Sequence, residues 1–211
     1  MVLNLNLKTS PYFPTFSSLP GEPESGEVSL EYYASAGSGY LQPSKHWVFI
    51  GEIVQNISLI RPGFLVKDKR GVQVGVHFYL DNDVARTADY KKFKVGSTMC
   101  VYYAHMRYFM DGGVGIRVED MSNVKIIPCS MKILLETNIA KVKSSLVCST
   151  CAKKGEDVTL QQCKRCGTRY CSRECQQQDW QTGHKAKCAA ISQVREWRAK
   201  DWGNFSDYWS V

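Results

Sequence analysis

Seven of the nine cysteines in this 211-residue chain fall between Cys148 and Cys188. They come in ordered pairs: Cys148-x2-Cys151, Cys163-x2-Cys166, Cys171-x3-Cys175 and a mixed pair, His184-x3-Cys188. Two sulfurs separated by two residues reach one metal from a tight turn, and ligands at i and i+4 stand on one helical face. Four pairs supply eight ligands, enough for two tetrahedral sites with zinc-type donors. Sites closed by four protein ligands leave no position for water or substrate, so the metal is expected to be structural. So short a segment cannot build a sufficient core; metal is expected to supply its folding energy, on the order of 10–16 kcal/mol per zinc at neutral pH. The spacing leaves open whether consecutive or alternate pairs share an ion. Cys100 and Cys129 lie outside the pattern and read as small buried residues.

The stretch from Cys148 to Cys188 resembles a MYND zinc finger. The ligand series carries the resemblance, with Arg169-Tyr170-Cys171-Ser172, Cys175-Gln176, Asp179-Trp180 and His184-Lys185 around it. The resemblance implies interleaved ligation. Cys148, Cys151, Cys171 and Cys175 would share one Zn²⁺, and Cys163, Cys166, His184 and Cys188 the other. It also implies a protein-interaction module, since some members bind proline-rich PxLxP peptides as an added strand beside a small hairpin. The matching peptide-binding positions are Arg169, Tyr170 and Ser172 on the hairpin side, with Gln176 and Trp180 on the helix. Residue type offers plainer roles for the same positions. Ser172 is a good N-cap for a helix opening at Arg173, Tyr170 suits packing between the sites, and Trp180 serves as core knob or exposed contact.

The elements that carry this segment are also readable. Leu135, Ile139 and Val142 recur at helical spacing in 131–147, which is expected to be a helical connector. After Cys188, the residues Ile191, Val194, Trp197 and Arg198 do the same, so 189–211 reads as a helix and an aromatic tail docked on the body of the protein. Residues 45–130 read as β structure: five apolar or alternating runs, at 47–54, 64–66, 72–80, 99–106 and 114–118. Gly51 is a candidate bulge, Asp68–Gly71 and Asp111-Gly112-Gly113 are turn signals, and a short helix fits Asp83–Phe93. The order of strand, Gly51-Glu52-Ile53, hairpin, connecting segment and Val95-Gly96 is similar to an OB-fold domain. The expected fold class is therefore α+β: a small OB-like barrel, the connector, then the two-zinc finger. Residues 1–44, rich in Pro, Gly and Ser, read as a largely disordered leader.

The formal charge is +7. With seven thiolates on two Zn²⁺ it drops to about +4, a weaker basic footprint than the bare sequence suggests. Single-stranded nucleic acid is thus the competing partner rather than the favoured one. Its candidate contacts are Lys67, Lys69, Arg70, Phe78, Arg107, Tyr108, Phe109 and Arg117, with one of Tyr102 and Tyr103 exposed by strand alternation. Phe78 shares the apolar Val face and reads as core. His46, His77 and His105 are isolated, and no segment resembles the cofactor motifs of the methyltransferase domain that carries the finger in some MYND proteins, so an enzyme is not expected. Met1 to Ser18 lacks a basic start followed by an apolar run, and no stretch is apolar enough to span a membrane. An intracellular site in nucleus or cytoplasm follows, where clustered thiols favour zinc over disulfides. The expected function is a zinc-dependent adaptor, with transcriptional regulation as its setting.

Overall fold

Alternation builds the larger part of the molecule. In the computed structural model, which describes residues 5–22, 29–35, 37, 40–139, 146–156 and 158–210, the chain forms two units. One holds 7–131 and 201–211; the other holds 1–6 and 132–200.

The strands of the first unit are β1 (Tyr33–Ser35), β2 (Leu41–Pro43), β3 (Val48–Asn56), β4 (Gly63–Asp68) and β5 (Gln73–Phe78). After helix α1 (Asn82–Thr87) come β6 (Thr98–Tyr102), β7 (Arg107–Tyr108), β8 (Val114–Val118) and β9 (Val124–Ile127). Every second residue of β4 and β5 is buried, so Phe64, Val66, Val74, Val76 and Phe78 line the core. β1 and β2 pair separately, and the other seven form one sheet in the order β7-β8-β5-β4-β3-β6-β9. Its pairs are antiparallel except β5 with β8. The inner order β8-β5-β4-β3-β6, with its antiparallel meander and one parallel pair, is OB-like. It is not a closed barrel. The β6 and β8 edges that would meet are taken by β9 and β7, two short strands absent from the sequence expectation.

Other details also depart from expectation. The register shift in β3 falls between Ile53 and Gln55, not at Gly51. Gly51 is needed for closeness instead: a Cβ there would sit 3.0 Å from Val66. Tyr102 and Tyr103 are both buried, because the chain leaves the strand at Tyr103 with φ 54° and turns its ring inward. Within 1–44, expected as a largely disordered leader, some described residues pack on the body. Leu7 and Phe13 are buried, Phe13 packs 4.7 Å from Trp202, and the Lys69 ammonium donates to the carbonyls of Leu7 and Phe13. Asp68, buried at the hairpin, accepts the N–H groups of Arg70 (2.8 Å), Val72 (2.9 Å) and Phe16 (3.0 Å). The expected docking of the aromatic tail is present. Trp202 is buried, Trp209 stacks on His46 at 3.6 Å, and His46 Nε2 donates to the Asn204 carbonyl at 3.0 Å.

The second unit contains α2 (Met131–Ile139), β10 (Gln161–Gln162), β11 (Arg169–Tyr170), α3 (Arg173–Asp179) and α4 (Lys185–Arg198). Within α2, Leu134, Leu135 and Asn138 are buried, and Asn138 donates to the Leu5 carbonyl at 2.8 Å. Val142 and the Ile139 side chain lie outside the described residues. α4 turns Val194 and Trp197 inward, the stripe its spacing predicts.

Candidate metal centre and docking groove

The ligand pairs sit on two kinds of local structure. Both Cys-x2-Cys segments are turns closed by a residue with positive φ. Gly167 (φ 76°) follows Cys166 and donates to the Cys163 carbonyl at 2.8 Å; Ala152 (φ 60°) follows Cys151 and donates to the Cys148 carbonyl at 3.0 Å. Cys171 follows β11 directly, and the Ser172 hydroxyl accepts the Cys175 N–H at 3.3 Å, capping α3. α3 runs through Trp180–His184, where Gly183 breaks helical geometry, into α4 with Cys188. β10 pairs with β11 to complete a small hairpin.

These elements bring the eight ligands into two clusters, Cys148/Cys151/Cys171/Cys175 and Cys163/Cys166/His184/Cys188, each with its donor atoms within 4.8 Å of one another. The pairing is therefore interleaved, and both x2 turns face an x3 pair. Four thiolates in one cluster, and three thiolates with one imidazole in the other, are tetrahedral zinc donor sets with no free position, so each cluster fits one structural zinc. His184 points Nε2 at the Cys166 sulfur (3.4 Å), while its Nδ1 faces Asp179 at 3.7 Å. A carboxylate on that side favours the ring orientation that turns Nε2 toward the sulfurs. The Thr168 hydroxyl lies 3.1 Å from the Cys166 sulfur.

The clusters differ in exposure. All four ligands of the histidine site are buried; in the other, Cys148 is buried, Cys171 and Cys175 are half-buried and Cys151 is exposed. Thiols without metal would titrate unevenly. Burial pushes Cys148 up, but the N–H groups of Cys151, Cys171 and Thr150 outweigh it and bring it down to about 6. Cys171, hydrogen-bonded to Cys151 and Cys175, is pushed up to about 12.

Tyr170 packs in the core of the second unit with Cys148, Cys163, Cys166 and Cys188. Its hydroxyl donates to Asp179 at 2.7 Å, and burial together with that carboxylate holds the phenol far above its usual range. Asp179 thus lies between Tyr170, the neighbour of Cys171 in one cluster, and the His184 ring of the other. Sequence reasoning assigned it no role; its place in the same helical run, just ahead of His184, was the available signal.

On the helical side of this segment lies a shallow groove of about 370 Å³ lined by Gln176, Gln177, Trp180 and Gln181. Trp180 is 43% exposed. Of the five positions predicted to meet a peptide, Gln176 and Trp180 line this groove. Ser172 is engaged as a cap, Tyr170 is buried, and Arg169 is half-buried in the hairpin. Gln177 and Gln181 were missed; they stand one residue beyond Gln176 and Trp180 along the same helical path.

A family model described as MYND finger matches residues 148–188. Residues 148–188 are a MYND finger. Ubiquitin carboxyl-terminal hydrolase 19 of Arabidopsis thaliana is 46% identical over 48 residues, which are 22% of this chain and 6% of that protein. The chain therefore spans a small fraction of its curated relative. The matched residues 148–188 contain all eight ligands of the two interleaved clusters. Solved structures resemble the chain more distantly. A chain of the S. pombe Stn1-Ten1 complex has TM-score 0.32 and 18% identity, covering 56% of this chain and 79% of that one. Schizosaccharomyces pombe Pot1pC bound to ssDNA has TM-score 0.27 and 12% identity, covering 44% and 83%. A replication protein A heterotrimer bound to ssDNA has TM-score 0.26 and 10% identity, covering 42% and 68%. The OB-like assignment of the first unit rests on its strand pairing. Among the described residues no helix is long and apolar enough to cross a membrane.

Proposed function

We propose that the chain is a non-enzymatic adaptor whose MYND finger docks a proline-containing segment of a partner protein, of the PxLxP type. The observation that carries this reading is the groove along α3, with half-exposed Trp180 among three glutamines. An indole supplies a large apolar contact at small entropic cost, and the flanking amides can pair with the backbone of an extended peptide. Both metals support the groove: the outer site holds Cys171 and Cys175 at the start of α3, and the inner site holds His184 just beyond Trp180. A setting in nucleus or cytoplasm, in transcriptional regulation, suits a site that needs reduced thiols.

Titration of a labelled PxLxP peptide into zinc-loaded protein and its Trp180→Ala variant tests the reading. Loss of a central aromatic anchor is expected to weaken binding by about 2 kcal/mol or more, roughly 30-fold, with zinc content unchanged. Equal affinities would refute it.

A second reading, single-stranded nucleic acid on the first unit, has one local observation in its favour. The guanidinium groups of Arg61 and Arg117 each lie 4.4 Å from the Tyr79 ring, Phe109 stacks 6.3 Å away, and neighbouring Tyr108 is 70% exposed. Other candidates are engaged elsewhere: Lys69 holds the leader, Arg107 pairs with Glu22 at 2.7 Å, and Phe78 is core. Oligonucleotide binding that weakens with salt and is lost in Tyr108→Ala would support this reading.

A further inference from the structure

The two metal sites of the finger are unequal in a way that their ligand spacing conceals. The inner site is closed on every side, with Cys163, Cys166, His184 and Cys188 all buried. The outer site has Cys151 at the surface, and Cys171 Sγ lies 3.4 Å from Cys151 Sγ. Oxidation of zinc-bound sulfur follows thiolate character and access. Thiolate character is shared by both sites once zinc is bound, so access decides.

We infer that Cys151 is an oxidation site that releases the outer zinc selectively and thereby switches off the docking groove. The oxidant class is a hydroperoxide. Its terminal oxygen transfers to the Cys151 thiolate, giving a sulfenic acid and, for hydrogen peroxide, hydroxide. The Cys171 thiolate then attacks the Cys151 sulfur, forming the S–S bond and expelling the oxygen as a second hydroxide. Two thiolates lose two electrons, the O–O bond takes them up, and two protons from solvent complete two waters. The metal is left with two of its four protein ligands and departs as Zn²⁺.

The damage falls on the groove. Cys171 and Cys175 flank the Ser172 cap of α3, and α3 carries the groove residues Gln176 and Gln177 and leads directly to Trp180 and Gln181. Thr150, between the two outer-site cysteines of the first turn, donates to the Cys175 carbonyl at 2.8 Å. Releasing the outer zinc frees both contacts while the inner zinc still holds the base of α4. The consequence for docking rests on the function proposed above; the order of zinc loss does not.

The zinc-loaded full chain is treated with increasing hydrogen peroxide. Released metal is followed with a chromogenic chelator, retained metal by native mass spectrometry, and new disulfides by peptide mapping. The first zinc equivalent is expected to leave at least about 10-fold faster than the second, given exposed against buried ligands, with a Cys151–Cys171 disulfide as the first product. Reductant plus zinc should restore two metals per chain. Release of both equivalents at one rate, or a first disulfide among Cys163, Cys166 and Cys188, would overturn the inference. Cys151→His removes the exposed thiol and substitutes the donor type used at the inner site. If it loads two zincs, the fast phase should vanish; if it loads one, that zinc should leave at the slow rate. A persistent fast phase in either case argues against Cys151. Since these counts need no partner, failure of peptide docking would leave them standing.

Discussion

The two metal turns offer a matched pair of perturbations. Each places the residue after its second cysteine in the left-handed region, Gly167 at φ 76° and Ala152 at φ 60°. An L side chain there costs about 1–2 kcal/mol. Gly167→Ala adds that cost at the inner turn, and the new Cβ runs into the Arg195 guanidinium. This group sits at the end of a flexible side chain and can move, giving up only a 3.5 Å contact to the Cys166 carbonyl. The backbone cost therefore dominates. Because metal binding and folding are linked, it should appear in the zinc constant as a loss of about 5- to 30-fold at the inner site. Ala152→Gly relieves the same cost at the outer turn, partly offset by the greater freedom of unfolded glycine, so that site should tighten by about 2- to 5-fold. The assay is competition with a calibrated chelator, with each site's occupancy assigned by cadmium-113 or cobalt substitution spectra. A silent Gly167→Ala, or an Ala152→Gly that weakens zinc, would refute the view that the turn backbone sets these affinities. Arg195→Ala in the Gly167→Ala background should recover little; full recovery would mean that the collision and not the backbone is responsible.

Other outcomes follow from the same contacts. Chelation should remove the circular dichroism of α3 and α4 while the first unit keeps its own thermal transition, and simultaneous loss of both would show that the units fold as one. Burial depresses His105 from 6.5 to about 4, where its Nε2 meets the Tyr33 hydroxyl at 2.5 Å. The neutral ring therefore favours the fold above pH 6.5, and stability should fall by up to about 3 kcal/mol as pH drops from 6.5 to 4. Urea titrations across that window should flatten in His105→Gln. Asp68→Ala strands three N–H groups at the hairpin and leader, with an expected cost of about 3 kcal/mol in urea unfolding.

Local patterns were legible where chemistry or periodicity repeats within a few residues. The ligand pairs, the Ser172 cap and the alternating strands all belong to this class. Interleaving was not contained in the spacing, since either pairing satisfies tetrahedral geometry; it came with the family resemblance. Long-range closure was illegible for a different reason. The leader reads as disordered because composition counts its prolines and serines, whereas what anchors it is distant: Lys69 for the carbonyls of Leu7 and Phe13, Trp202 for the Phe13 ring. β7 and β9 are two and four residues long, too short for alternation to announce, yet they occupy the edges that would otherwise close a barrel. Tyr103 escaped the alternation rule because the strand ends at Tyr102.

The first unit is discontinuous: the chain leaves it after residue 131 and returns at 201. During synthesis the ribosome makes Trp202 and Trp209 only after every ligand of the finger. The finger segment can therefore capture zinc while the sheet made before it still lacks its aromatic plug. A fragment cut after β9 would carry that same gap permanently, leaving Phe13, His46 and Tyr103 without the rings that cover them. Vectorial synthesis thus reverses the usual order in which an N-terminal domain is finished first.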